Sequence, residues 1–152
     1  MTTSCLESCL AKQRNLKQMF ALCKTSEEKY QKIINLGKSL PPFPEDLKLK
    51  EFLVPGCQSA MYLHASLSED QKILFIVDSE ALISKGLAAL LISIYNEEPP
   101  EVLLTCPPSC LEEIGIRAHL SPSRSNGLSS IYLKMRQTAL SFLKTSTQCK
   151  NF

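Results

Sequence analysis

Ser59-Ala60-Met61-Tyr62-Leu63-His64-Ala65 and Ile73-Leu74-Phe75-Ile76-Val77 are two extended segments on either side of a polar connection that carries Ser66, Ser68, Glu69 and Asp70. That pattern predicts an antiparallel hairpin. The second segment is apolar at every position, which predicts a strand covered on both faces. A hairpin cannot bury itself, so helices elsewhere in the chain must supply cover.

Downstream, Asp78 or Ser79 is placed to cap a helix whose Leu82, Ile83, Leu87, Leu90, Leu91 and Ile94 recur at helical spacing up to Tyr95, with Pro99 and Pro100 closing the region. Upstream, Leu10, Leu16, Met19, Phe20 and Cys23 predict an amphipathic helix from about Cys9 to Cys23, with Lys12, Arg14 and Lys17 on its solvated face. Thr25-Ser26-Glu27-Glu28 has the form of a capping box, and Tyr30, Ile33 and Ile34 carry a second helix to about Leu36. Gly37 then suits a left-handed cap. Leu40-Pro41-Pro42-Phe43-Pro44 cannot continue a helix and should lie extended over the surface.

A short helix near Ser109 to Ile114, stopped by Gly115, leads into a polar loop. A last helix follows, with Leu128, Ile131, Met135, Ala139 and Phe142 on one stripe. Helices, then a small sheet, then helices make an α+β domain. We expect one domain over residues 1–152, built on a small antiparallel β-sheet of about three strands packed by helices from both ends of the chain. Residues 1–24 form its N-terminal helix region and residues 145–152 a frayed tail.

With 152 residues, 44% of them hydrophobic, the chain can bury one substantial core. Its 17 basic and 15 acidic residues are mixed rather than blocked, which argues against a nucleic-acid partner. The longest apolar run, around Leu87 to Tyr95, is too short to cross a membrane, and no basic segment followed by an apolar run marks a secretory leader. Seven cysteines, an odd number, then fit a reducing cytoplasm in which thiols stay free unless they do chemistry or bind metal.

The chemistry concentrates at Val54-Pro55-Gly56-Cys57-Gln58-Ser59. Pro55 sets the φ required at the second position of a tight turn, and Gly56 accepts the positive φ that a type II turn demands at the third. Cys57 therefore leaves the turn at a loop tip, where another protein's active site could reach it. Such a turn, taken alone, is more often structural than chemical.

Other residues invite a functional reading and carry less. Cys106 with Cys110, and Cys5 with Cys9, place thiols near one another but without the paired, closely spaced knuckles of a zinc site, so no metal is expected. Cys23 belongs to a helix's apolar face and Cys149 to the tail. His64 lies in a strand. His119 reads as a hydrogen-bonding loop residue before a general base. Arg124, in the polar loop with Asn126 and Gly127, could equally tie down its own loop or reach a thiolate or a partner's carboxylate. No acid–base constellation, phosphate loop or cofactor motif is present, so independent turnover is not expected.

Beyond these local patterns, the chain resembles the SufE family of cysteine-desulfurase partners and sulfur acceptors, which includes the CsdE proteins. The resemblance rests on Leu36-Gly37, Leu40-Pro41-Pro42, Val54 to Ser59, Asp78-Ser79-Glu80-Ala81, Gly86-Leu87 and His119-Leu120-Ser121-Pro122-Ser123-Arg124-Ser125-Asn126-Gly127. The family often places tryptophans near the second helix and after the cysteine motif; this chain has none and shows Ala60-Met61-Tyr62 there. Those are packing positions, so the departure leaves the chemistry standing.

Membership would imply the fold of the iron–sulfur scaffold proteins and one acceptor cysteine, matching Cys57, on a loop supported by Pro55, Gly56 and Gln58. It would imply a pyridoxal-phosphate cysteine desulfurase of the SufS or CsdA kind as partner, a downstream iron–sulfur scaffold as recipient, and no cofactor bound to this chain. Arg124, with His119 and Asn126 nearby, would serve docking or transfer. Two rival readings remain: a cluster scaffold of the same fold, which needs about three thiolates converging with Cys57, and a docking protein that activates the desulfurase without accepting sulfur.

Overall fold

Leu82–Tyr95 (α3) is the most apolar helix of the chain, and nearly every side chain from Gly86 to Tyr95 is buried. A helix hydrophobic around most of its circumference must lie inside, and the rest of the fold is arranged around it. The computed structural model describes the backbone of residues 3–150 and the side chains of residues 6–145. In chain order, Thr3–Ala21 (α1), Ser26–Lys38 (α2), Met61–Leu67 (β1), Ile73–Ser79 (β2), α3, Pro100–Thr105 (α4), Ser109–Ile114 (α5) and Pro122–Lys150 (α6) follow one another. Helices α1, α2 and α6 and strand β2 all pack on α3. Among the described residues no helix is long and apolar enough to cross a membrane.

The tightest approach in this arrangement is between α2 and α3. A Cβ on Gly86 would overlap the Ile33 carbonyl oxygen, and one on Gly37 would stand 2.7 Å from the Gly86 amide nitrogen. Gly37 is therefore a buried residue inside α2, not the left-handed cap expected from its position. The helix continues to Lys38 and ends on Ser39 in ordinary right-handed geometry. Thr25 caps the start as expected, its Oγ1 accepting from Glu28 N at 3.1 Å, while the Glu28 carboxylate accepts from Lys24 N at 2.8 Å.

The α+β class is as expected, but the sheet has two strands rather than about three, pairing Met61 with Ser79 through Leu67 with Ile73. Additional pairing stops at single bridges, Leu53 with Tyr62 and Ile73 with Glu98. On one side Pro55 and Gly56 turn the chain away from β1. On the other, Glu98 runs straight into Pro99 and Pro100, and proline cannot donate to a ladder. The open edge of β2 is instead satisfied locally: Ile73 N donates to Glu98 O at 2.9 Å and Phe75 N to Asn96 Oδ1 at 2.8 Å.

Nor is β2 covered on both faces. Ile73, Phe75 and Val77 are buried, whereas Leu74 is 37% exposed. The helices occupy only the inner face. On the outer face the extended segment after α2 covers part of β1, with Phe43 6.1 Å from the Tyr62 ring and Phe52 edge-on to His64 at 4.9 Å. Leu74, opposite Ser66 at the far end, lies beyond that cover. Asp78 anchors the same segment. Burial works against its charge, but Lys48 and Lys85, each at 3.3 Å, outweigh that and hold its pKa below the ordinary carboxylate value.

Four helix boundaries also differ from expectation. The α3 cap position is Ala81; Ser79 closes β2, its hydroxyl accepting from Ala81 N at 3.3 Å. Pro100 opens α4 at a first-turn position, where its missing N–H costs nothing. The polar loop expected before the last helix is the first turns of α6: Ser121 Oγ accepts from Arg124 N at 3.3 Å, and Pro122 is the first helical residue. At its other end α6 carries helical backbone to Lys150 where a frayed tail was expected. Gly115 does stop α5 in the left-handed region, at φ 80°.

Helix propensity alone would make Gly86→Ala stabilising by about 1 kcal/mol. Overlap with the Ile33 carbonyl reverses the sign, and we expect a loss of about 1–3 kcal/mol, read as a lower urea midpoint. Gly127→Ala, whose methyl would meet nothing within 4 Å, should hold or raise that midpoint. A Gly86→Ala protein as stable as the parent would rule out the close crossing.

Candidate functional site

Val54 is buried and hydrogen-bonds Met61 O through its N–H at 2.8 Å, so the chain between them is a short excursion from the edge of β1. Pro55 and Gly56 form its turn, and Gly56 has φ 85°, the left-handed geometry that the sequence pattern predicted. Pro55, Gly56 and Gln58 are exposed, while Cys57 between them is partly buried. Its thiol points at the carbonyl oxygen of Gly127 in α6, 4.0 Å away. Burial pushes the Cys57 pKa up, because a thiolate loses more solvation there than a thiol does. In the free protein Cys57 is thus a sheltered, largely protonated thiol.

Beside it lies a pocket of about 110 Å³, against the roughly 10–15 Å³ that admits one water. Ala81, Ile83, Ser84 and Leu87 of the α3 region form one wall, and Ser123, Arg124, Gly127 and Ile131 of α6 form the other. The lining is apolar at depth and polar at the rim. A second sulfur atom on Cys57 would fit this space without displacing either helix. At the mouth, Ser123 Oγ donates to Gln58 Oε1 at 2.7 Å.

Arg124 reaches the same pocket from the first turn of α6, and its guanidinium stands over the Tyr30 ring of α2 at 5.5 Å. Such a contact is worth about 0.5–1 kcal/mol at an exposed site, enough to hold the charge beside the pocket yet weak enough to release it. His119 and Asn126 are not brought to the pocket. His119 ends a 3-10 turn, and its Nδ1 lies 2.9 Å from Ser26 Oγ at the start of α2; Asn126 is exposed on α6. Sequence reasoning does not single out Ser84, Ser123, Gly127 and Ile131 as wall residues. Their signal is the spacing of Ser123, Gly127 and Ile131, four residues apart, which defines a helical face only once the segment is read as helix.

The other cysteines belong elsewhere. Gln13 of α1 is a buried polar residue: its Nε2 donates to Pro107 O at 3.0 Å and approaches Cys106 Sγ at 3.4 Å and Cys9 Sγ at 3.9 Å, while its Oε1 accepts from Cys110 N at 3.0 Å. Cys9, Cys106 and Cys110 are free and buried around it. Among the described residues no three His, Cys, Asp or Glu side chains are grouped to hold a metal ion. The side chains of Cys5 and Cys149 lie outside the described residues. Neither is the face beside Gln13 wholly solvated: Lys12 Nζ approaches the buried Glu98 carboxylate at 3.1 Å and donates to Asn96 O at 2.6 Å.

Comparisons with known proteins bear on the family and on the fold. Residues 14–139 match the SufE family, described as an Fe-S metabolism associated domain. The chain is 34% identical over 139 residues to the cysteine desulfuration protein SufE of Wigglesworthia glossinidia brevipalpis, covering 91% of each chain. It is 37% identical over 117 residues to the sulfur acceptor protein CsdE of Escherichia coli, covering 76% of this chain and 80% of that one. In fold it matches the solution structure of a hypothetical protein from Thermus thermophilus, with a TM-score of 0.73 at 24% identity over 88% of this chain and 96% of that one.

The buried thiols give a pH prediction. Burial pushes Cys110 up from 9.0 to about 11, and Cys9 is raised by burial and by Cys106 beside it. The folded state keeps these protons to higher pH than the unfolded chain. Stability from the neutral thiols is therefore complete below about pH 8.5 and is lost as pH rises toward 11, by up to about 1.4 kcal/mol per pH unit for each thiol. Urea unfolding at about pH 8 and pH 10.5 should show a smaller loss in Cys110→Ala than in the parent; equal losses would mean Cys110 ionises as an exposed thiol does.

Proposed function

This chain belongs to the SufE family, and from that membership we propose that it accepts sulfane sulfur on Cys57 from a cysteine desulfurase and relays it toward iron–sulfur cluster assembly. The observation that carries the reading is Cys57 itself: a thiol at the tip of a turn, half-sheltered, facing a pocket with room for one more sulfur. The names of two relatives, one a cysteine desulfuration protein and the other a sulfur acceptor, support the same partner here.

The step is a thiol exchange. The Cys57 thiolate attacks the outer sulfur of a persulfide on the desulfurase cysteine, the sulfur–sulfur bond of that persulfide breaks, and the desulfurase thiolate departs. Cys57 then holds the persulfide, and no net oxidation occurs. The pyridoxal phosphate belongs to the desulfurase, and the transfer onto Cys57 requires no cofactor on this chain. A thiol with an ordinary pKa near 8.5 is only about a few per cent ionised at neutral pH, and burial lowers that fraction further. Docking must then draw Cys57 out of its seat or deprotonate it in place. This ties reactivity to the partner: the free protein carries a poor nucleophile, and the persulfide rests where reductants have little access.

Arg124 would contribute charge. Its guanidinium can leave Tyr30 for a thiolate or persulfide anion at Cys57, or for a carboxylate of the partner, with little loss.

Anaerobic incubation with a cysteine desulfurase, its pyridoxal phosphate and cysteine should add one sulfur atom to the intact protein, mapped by mass spectrometry to Cys57 and absent in Cys57→Ser. Faster desulfurase turnover with no added sulfur would replace the acceptor reading by non-covalent activation. A stable coloured cluster after anaerobic reconstitution with iron and sulfide would favour a scaffold. Arg124→Ala should slow sulfur transfer about tenfold or more, as expected for one charge-assisted contact; unchanged transfer would leave Arg124 as a purely local contact with Tyr30.

A further inference from the structure

Three consecutive residues of the cysteine turn rest on one face of α6. Ser123, Gly127 and Ser130 are spaced by four and three residues and share that face. Ser123 Oγ binds Gln58 Oε1 at 2.7 Å, Gly127 O faces the Cys57 thiol at 4.0 Å, and Ser130 meets Gly56. Loop and helix run in opposite directions, residue against residue. The last of the three leaves no room for a side chain at position 56 while the Ser130 hydroxyl keeps its place. A methyl group on Gly56 would stand 2.6 Å from Ser130 Oγ and 3.5 Å from Ser130 Cβ. The φ of 85° is what favours glycine at position 56, and a side chain there would also oblige the Ser130 hydroxyl to turn aside.

We infer that this face of α6 is the seat that keeps the Cys57 turn sheltered, and that Ser130 is the positioning residue that sets how deeply the turn sits. The inference rests on Cys57 being the acceptor and concerns how its exposure is controlled. The seat consists of one exposed hydrogen bond, one long thiol contact and one van der Waals contact. None is individually strong, and among the described residues no buried charge or packed aromatic ring locks the turn down, so a docking partner can lift it. Depth matters because the same few ångströms decide whether Cys57 faces the pocket or water. Side-chain volume at position 130 should therefore tune thiol reactivity, although Ser130 does not line the pocket.

The test uses the full, reduced chain alone. Iodoacetamide alkylation of each cysteine is followed by peptide mass spectrometry across a pH series, with the buried Cys9, Cys106 and Cys110 as internal reporters of folding. Ser130→Leu should raise the Cys57 rate on the order of tenfold, the scale on which one overpacked contact shifts an equilibrium, and should lower the pH of half-maximal rate. The three buried thiols should stay protected. Gly56→Ala should act in the same direction. Gly56→Ala combined with Ser130→Ala should act less strongly, because the new methyl then meets only a Cβ at 3.5 Å.

An unchanged Cys57 rate in folded Ser130→Leu would overturn the inference. If that variant exposes the buried thiols as well, the comparison of Gly56→Ala with the double variant decides, and equal Cys57 rates would overturn it. Alkylation needs no desulfurase, so the two readings fail separately. Tuned alkylation without sulfur on Cys57 would keep the seat and remove the acceptor role, whereas sulfur acceptance with untuned alkylation would do the reverse.

Discussion

Everything in this fold is referred to the crossing of α2 over α3 at Gly37 and Gly86, where the two backbones come closer than any pair of side chains would allow. Glycine in a helix costs about 1 kcal/mol relative to alanine, and two are placed at one point. The return is that α3 can be walled in on that side by backbone, while its remaining surface stays free for β2, α1 and α6. A helix buried over most of its length needs neighbours on most sides, and removing one side-chain layer at α2 brings them within reach.

The site is a consequence of that arrangement. Because α3 is fixed between α2 and α6, its first turns form one wall of the pocket and the first turns of α6 the other. The same geometry brings Tyr30 of α2 under Arg124 of α6. The Pro55-Gly56 turn then drops Cys57 onto α6 between the walls. A thiol in that position is shielded on its inner side and approachable on its outer side, and the rise in its pKa follows from the shielding. A carrier benefits from both properties, since a thiolate exposed at all times would react with any disulfide or oxidant it met.

The cysteines divide by environment more than by number. Cys9, Cys106 and Cys110 surround the amide of Gln13, which joins α1 to the link before α5 and to the first turn of α5 by hydrogen bonds to Pro107 O and Cys110 N. Sulfur suits the space around an amide whose two strong bonds are already made, because it packs as a small hydrophobe and still tolerates a polar neighbour. Burial raises the Cys9, Cys110 and Cys57 thiols alike in direction, but of these three Cys57 alone lines a pocket open to the protein surface. Accessibility separates the thiol proposed for chemistry from those used for packing.

Local pattern was enough to establish the α+β class, the hairpin, the central apolar helix, the Gly56 turn and Cys57 at its tip, because each depends on periodicity or on one residue's φ. It did not reveal that Gly37 is a packing residue, since a glycine near a helix end looks the same whether it caps the helix or lets another backbone pass. Ile73 to Val77 suggested two covered faces, yet Leu74 is partly exposed because the helices all gather on the other side. Ser121-Pro122 is a legible helix start, and reading the segment as loop hides the face formed by Ser123, Gly127 and Ser130. The pocket, the shelter of Cys57 and the contact of Arg124 with Tyr30 emerge from long-range packing alone. Each joins residues dozens of positions apart, and no local rule fixes which helix faces meet.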